Sequence, residues 1–215
     1  MIKEKCSLIA SKLNELYPET KTFLNYETDW QLLFAIILSA QATDISVNQA
    51  TEKLFKILPD LSDYNETNRT LILDSISNVG LGKSKASYLI DTAGRLVNQY
   101  NGVVPKDRDI LMTFKGVGYK TASVFLAEYY DYPYIPVDTH VLRVTHRLGI
   151  VPSTYDATKT QIRLEKIFNV TSNIHLHRQL ILFGRNICLA RNEKCDACPF
   201  KGICSYHLKN NKKAG

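Results

Sequence analysis

The sequence predicts a nearly all-α protein. Three observations carry that prediction. Apolar residues recur at steps of three and four along most of the chain, glycines and prolines fall between those stretches, and no period-two alternation of useful length occurs. At 215 residues, 45% of them hydrophobic, the chain has apolar material for one or two cored domains. Its 27 Lys and Arg against 21 Asp and Glu give a net charge of +6, which favours an acidic partner such as nucleic acid.

Ile2, Cys6, Ile9, Leu13 and Leu16 mark one face of an N-terminal helix, which the polar run from Pro18 breaks. Cys6 lies on that face and reads as a small buried hydrophobe rather than a reactive thiol. Trp30 to Ala40 is apolar almost throughout, so a helix buried on every side is expected there. Thr43 or Asp44 can cap the next helix, whose Val47, Ala50, Leu54 and Ile57 keep helical spacing. Gln41 then sits in the short link between these two helices. Residues 59–65 read as loop, and Leu71 to Ile76 as a short helix ending at Val79-Gly80-Leu81-Gly82. An apolar side chain between two glycines has little core to join, which singles out Leu81. Lys83 to Val97 forms another helix, closed by Asn101-Gly102. Pro105 is expected to open a helix running through Met112.

From Leu111 to His140 the chain reads as helix, tight Gly116-Val117-Gly118 turn, helix, then an extended link held by Pro133 and Pro136. Asp138 opens the helix that carries Val141, Leu142 and Val144. The order Val79-Gly80 then Lys85-Ala86 echoes Val117-Gly118 then Lys120-Thr121-Ala122, which suggests a second hairpin. Residues 155–168 and 174–187 form two further amphipathic helices, and a frayed Lys-rich tail ends the chain. No charged start leads into an apolar run, and the longest apolar stretch, residues 32–38, is too short for a bilayer. A cytoplasmic protein without a membrane partner is therefore expected.

Two places carry chemistry. A glycine turn ahead of a helix offers backbone N–H groups to an anion such as phosphate, and Lys120 follows it directly. A helix start disfavours the ammonium form, which suits a lysine that must act as a neutral amine. Most lysines one turn into a helix are solvated surface charges, and Asp at a helix start is an ordinary N-cap. Capping also fixes a carboxylate's position, so Asp138 can cap and still act. The second place is the C-terminal end, where Cys188, Cys195, Cys198 and Cys204 follow C-x6-C-x2-C-x5-C within seventeen residues. A secreted disulfide scaffold would spread its cysteines, so a metal site is the better reading. Four thiolates can hold zinc or an iron–sulfur cluster; the single C-x2-C pair and the uneven spacing favour one [4Fe–4S] cluster. Arg191 and Lys194, between the first two cysteines, would project beside it as a solvated edge or as phosphate contacts.

Taken together, LSAQATD at 38–44, VGLGKSKA at 79–86, GVGYKTA at 116–122, VDTH at 137–140 and the four-cysteine tail resemble the bacterial endonuclease III family. That family belongs to the helix-hairpin-helix DNA glycosylase superfamily, and the match covers nearly the whole chain in order. The resemblance implies a two-lobed all-α fold: residues 22–133 carry the hairpin, and residues 1–21 with 134–215 carry a [4Fe–4S] cluster loop. It implies a monomeric DNA glycosylase and AP lyase that removes oxidised pyrimidines from duplex DNA and then nicks the strand. A cleft between the lobes would receive the extruded base. Lys120 falls on the Schiff-base lysine, Asp138 on the catalytic aspartate, and the four cysteines on the cluster ligands. Gln41 and Leu81 fall on residues that fill and wedge the gap left by a flipped nucleotide. Lys115, Gly116, Gly118, His140, Arg191 and Lys194 are the other expected DNA contacts.

Two alternatives stand beside this reading. One is a monofunctional mismatch-type glycosylase of the same superfamily, although those relatives generally lack a lysine at the position of Lys120. The other is a non-catalytic DNA-binding iron–sulfur protein, against which the presence of both Lys120 and Asp138 counts. Two positions depart from the family pattern: Lys115 replaces the usual hairpin proline, and Gly82 replaces a bulkier residue beside Leu81.

Overall fold

The computed structural model describes residues 2–168 and 173–211, and among them all regular structure is helical. Contacts divide the chain into one unit of Thr22–Tyr130 and another of Met1–Lys21 with Asp131–Gly215. The chain thus leaves the first unit after Tyr130, three residues before the expected boundary at residue 133.

The 22–130 unit is built round α2 (Asp29–Leu38), whose residues from Trp30 to Leu38 are all buried. Each fully buried Leu or Ile contributes about 1.5–3 kcal/mol, so this one helix supplies much of the unit's core. The helix starts one residue before the apolar run because Thr28 and Gln31 form a capping box. Asp29, just inside, accepts the Val104 backbone N–H at 2.8 Å and ties down the distant 104 segment. Trp30, Phe34, Phe55 and Tyr64 meet edge-on at 4.9–5.6 Å between ring centroids. Around α2 stand α3 (Asp44–Ile57), capped by Thr43, then α5 (Gly82–Tyr100) and α7 (Tyr119–Tyr130). Between α3 and α5 the chain makes two one-turn 3-10 helices, Leu61–Asp63 and Glu66–Asn68, and a short α4 (Arg69–Ser75).

α5 stops where Asn101 turns left-handed and the Gly102 N–H bonds back to Leu96 at 2.9 Å. The helix expected from Pro105 is shorter than predicted: α6 spans Arg108–Leu111. Asp107, whose carboxylate accepts the Ile110 N–H at 2.9 Å, is the N-cap, and a side-chain acceptor outweighs proline's fixed φ.

Gly82 opens α5, and a Cβ built there meets nothing within 4 Å. Gly82→Ala is therefore expected to stabilise the protein by about 0.4–1 kcal/mol, by narrowing the unfolded ensemble. A raised urea midpoint by circular dichroism checks this; a lowered one would show that the turn before α5 needs glycine.

In the other unit, α8 (Thr139–Leu148) packs on α10 (Ile174–Asn186), and α1 (Ile2–Leu16) and α11 (Ser205–Asn211) flank this pair. Of the predicted α1 face, Cys6, Ile9 and Leu13 are buried, while Ile2 and Leu16 lie exposed at its ends. Gln179 donates to the Tyr17 carbonyl at 2.9 Å and Arg178 to that of Thr20 at 3.1 Å, stitching the N-terminal segment to α10. α9 (Ala157–Ile167) is capped by Asp156. The α8–α10 contact is close because Gly184 leaves room: a Cβ there would sit 2.9 Å from His140 Cβ. The end of the Lys-rich tail, residues 212–215, lies outside the described residues.

Candidate active site and cysteine-rich loop

The hairpin forms as the sequence suggests. Val117 N–H bonds to the Phe114 carbonyl at 3.1 Å, and Gly116 sits at φ +79°. Glycine is required there twice over, since a Cβ would also lie 2.6 Å from the Tyr88 ring of α5. Gly118 and Lys120 are exposed, and Lys120 is the second residue of α7. Lys115 is exposed too, but its ammonium donates to Asp91 of α5 at 2.6 Å. A phosphate at this turn would have to draw Lys115 away from that carboxylate.

The second helix–turn–helix suggested by the sequence runs from α4 into α5. Its Val79 N–H bonds to Ile76 at 3.0 Å, the counterpart of the Val117 bond. Leu81 caps α5 at φ +63° and is 58% exposed. Gln41, between α2 and α3, is also exposed and left-handed, at φ +56°. The two loops touch, since a Cβ on Gly80 would lie 3.9 Å from the Gln41 carbonyl. Non-glycine residues at positive φ are uncommon and gather at functional sites.

In the other unit, Asp138 is half-buried and caps α8, accepting the Val141 N–H at 2.7 Å. Two residues on, His140 Nδ1 lies 3.1 Å from Arg143 Nη2. Burial, helped by the Arg143 and Arg185 charges and opposed by Asp138, holds the His140 pKa below the usual imidazole value, so it is neutral near pH 7. Arg143 also donates to the Cys188 carbonyl at 2.9 Å and to Gly184 at 2.8 Å. One turn on, Arg147 donates to the Leu189 carbonyl at 2.6 Å, to Ala190 at 3.2 Å and to Cys188 Sγ at 3.6 Å. Neither arginine was singled out in the sequence, yet both hold the start of the cysteine loop against α8.

None of Cys188, Cys195, Cys198 and Cys204 is in a disulfide, and all four line one small pocket with Arg147, Phe183 and Lys194. Burial pushes the Cys195 and Cys198 thiols up; Glu193 and then the other cysteines add to this at Cys195, and at Cys198 a backbone hydrogen bond from Phe200 opposes it. Among the described residues no three Cys, His, Asp or Glu converge as a single ion requires. Four cysteines on one pocket are the donor set a [4Fe–4S] cluster takes, one thiolate to each iron. Arg191 and Lys194 lie exposed on the same loop.

Comparison with known proteins decides the family. Residues 34–169 match the model of the HhH-GPD superfamily base excision DNA repair proteins, and residues 188–204 match the iron-sulfur binding domain of endonuclease III. Endonuclease III of Escherichia coli K12 is 38% identical over 209 residues, covering 97% of this chain and 99% of its own. The chain belongs to the endonuclease III family. Endonuclease III of Rickettsia conorii is 40% identical over 93% of this chain and 97% of its own, and that of Bacillus subtilis 35% over 94% and 92%. A solved non-covalent endonuclease III–DNA complex superposes with a TM-score of 0.90 at 33% identity, over 98% of both chains. A trapped endonuclease III–DNA covalent intermediate does so equally, over 97% of this chain and 98% of its own. A thermostable thymine-DNA glycosylase shares the fold at a TM-score of 0.83 and 21% identity. The protein is thus a bifunctional base excision repair enzyme, a DNA glycosylase with AP lyase activity, and its cysteine loop holds a [4Fe–4S] cluster. No described helix is long and apolar enough to cross a membrane.

Proposed function

We propose that Lys120 is the nucleophile of this enzyme and Asp138 its electrostatic partner, acting on oxidised pyrimidines in duplex DNA. The observation that carries this is the hairpin: Gly116, fixed against Tyr88, delivers a solvent-exposed lysine one residue inside α7. An endonuclease III of 33% identity has been trapped in a covalent intermediate with DNA, which supports the same chemistry here. The neutral Lys120 amine attacks C1′ of the flipped nucleotide, and the C1′–base bond breaks as the C–N bond forms. Asp138, its carboxylate held by the Val141 N–H, stabilises the positive charge that develops at the sugar and helps move the proton. Ring opening gives an iminium, loss of a C2′ proton expels the 3′ phosphate, and the strand is nicked.

In this reading the unit of Thr22–Tyr130 is the hairpin domain and the unit of Met1–Lys21 with Asp131–Gly215 the cluster domain. Gln41 and Leu81 enter the duplex at the lesion. The turn at Gly116 and Gly118, with Lys115, takes phosphate, and His140, Arg191 and Lys194 meet the backbone from the cluster domain. Cys188, Cys195, Cys198 and Cys204 ligate the cluster, which cross-links the loop and stiffens it. The enzyme works as a monomer on bacterial chromosomal DNA, which places it in the cytoplasm at the nucleoid. Incubation with abasic duplex DNA and borohydride tests the core of this proposal: a covalent adduct is expected, and strand cleavage without one would overturn it.

The Lys115–Asp91 pair gives a separate check. Lys115→Pro is expected to flatten the plot of log affinity against log salt by roughly one unit, because each phosphate-bound cation contributes about 0.9. Asp91→Asn, which frees the cation, is expected to tighten binding at low salt. Unchanged slopes in both variants would mean that Lys115 keeps away from DNA.

A further inference from the structure

Lys85 is the most deeply buried cation of the described residues, with 2% of its surface exposed. It lies in the first turn of α5 and its ammonium reaches the C-terminal end of α2. There it donates to the Leu38 carbonyl and the Ala40 carbonyl, both at 2.8 Å. Helix ends leave such carbonyls without partners and carry partial negative charge, so an ammonium fits them well. The neighbouring carbonyls are already used: Ile36 accepts from Ser39, and Ser39 accepts from the Ala42 N–H at 3.1 Å. Gln41 follows Ala40 directly.

The Lys85 side chain springs from the helix turn that Leu81 caps, where its backbone N–H makes the ordinary first helical bond to the Leu81 carbonyl at 3.0 Å. That side chain is what joins this turn to the last carbonyl before Gln41. Asn78 adds a parallel tie, donating to Ser46 of α3 at 3.0 Å. Both loops hold non-glycine residues at positive φ, a conformation that persists only where the surroundings over-determine it.

We propose that Lys85 is a positioning residue for base extrusion, cross-bracing the Gln41 and Leu81 loops so that the two side chains meet the duplex as one rigid pair. This rests on the roles given above to Gln41 and Leu81. Side chains that open a base stack must hold their spacing against the cost of unstacking, a few kcal/mol per step. A loose pair would spend binding energy on its own ordering. Burial lowers the Lys85 pKa, yet both carbonyls are aimed at its ammonium.

The test uses the iron-loaded full chain carrying Lys85→Met, Lys85→Gln, Gln41→Ala or Leu81→Ala. Each is assayed on a duplex with one abasic site and on the same strand without its complement. Lys85→Met, which keeps the volume and removes the donor, is expected to lose at least about tenfold in kcat/KM on the duplex. Activity on the single strand should stay at the wild-type level. Lys85→Gln, with N–H groups left to offer, should recover part of the duplex rate. A 2-aminopurine placed opposite the lesion should brighten on binding wild type and stay quenched with Lys85→Met. Equal losses on both substrates, no loss at all, or failure of both Lys85 variants to fold by circular dichroism would reduce Lys85 to a support of the domain. If Gln41→Ala and Leu81→Ala show no duplex-specific loss, the roles of those side chains fail. If they show it and the Lys85 variants do not, the Lys85 inference alone falls.

Discussion

Lys120→Gln is expected to lose strand cleavage at abasic sites by at least about a thousandfold, because it removes the only atom that can form the C1′–N bond in the proposed mechanism. The fold should survive. Lys120 is exposed near the start of α7, and glutamine forms helix about as well as lysine. Duplex binding should weaken by no more than one phosphate contact's worth, since the turn at Gly116 and the loops of Gln41 and Leu81 are untouched. A gel-shift titration with cleavage kinetics on the same preparation separates binding from chemistry. Cleavage that survives the substitution would assign the nucleophile to another amine.

Asp138→Asn is the second large effect. Asparagine caps a helix about as well as aspartate, so α8 and its Val141 bond should stay in place. What is lost is the negative charge. Base release from an oxidised pyrimidine is expected to slow by about a hundredfold or more, with stability nearly unchanged. Asp138→Ala removes the cap as well and should cost about 1 kcal/mol of stability on top of the rate. If Asp138→Asn releases base at the wild-type rate, Asp138 is a helix cap and nothing more.

The helices were legible because burial on one face, or on all faces in α2, leaves a period in the sequence. Their starts were legible only where the capping residue was recognised. Thr28 with Gln31 moved α2 one residue earlier, and Asp107 displaced Pro105 at α6. The turn chemistry was readable because glycine at a positive φ has few substitutes, as Gly116 shows against Tyr88. Leu81 was conspicuous for a related reason: an apolar residue between glycines, and indeed 58% exposed.

Lys85, Arg143 and Arg147 were not legible as site residues. Each acts on backbone carbonyls more than forty positions away, and a carbonyl leaves no mark in the sequence. Nor does composition show that Lys115 is paired with Asp91, since both look like ordinary surface charges. Long-range pairing of a cation with the main chain is set by how the helices dock, and only coordinates reveal it.

The most direct measurement is where the covalent bond forms. Wild-type protein is reacted with an abasic duplex and borohydride, the reduced adduct is digested with protease and nuclease, and the modified peptide is sequenced by mass spectrometry. The proposed mechanism predicts one modified residue, Lys120, and no adduct at all from Lys120→Gln. An adduct mapped to any other lysine or to the terminal amine would contradict it.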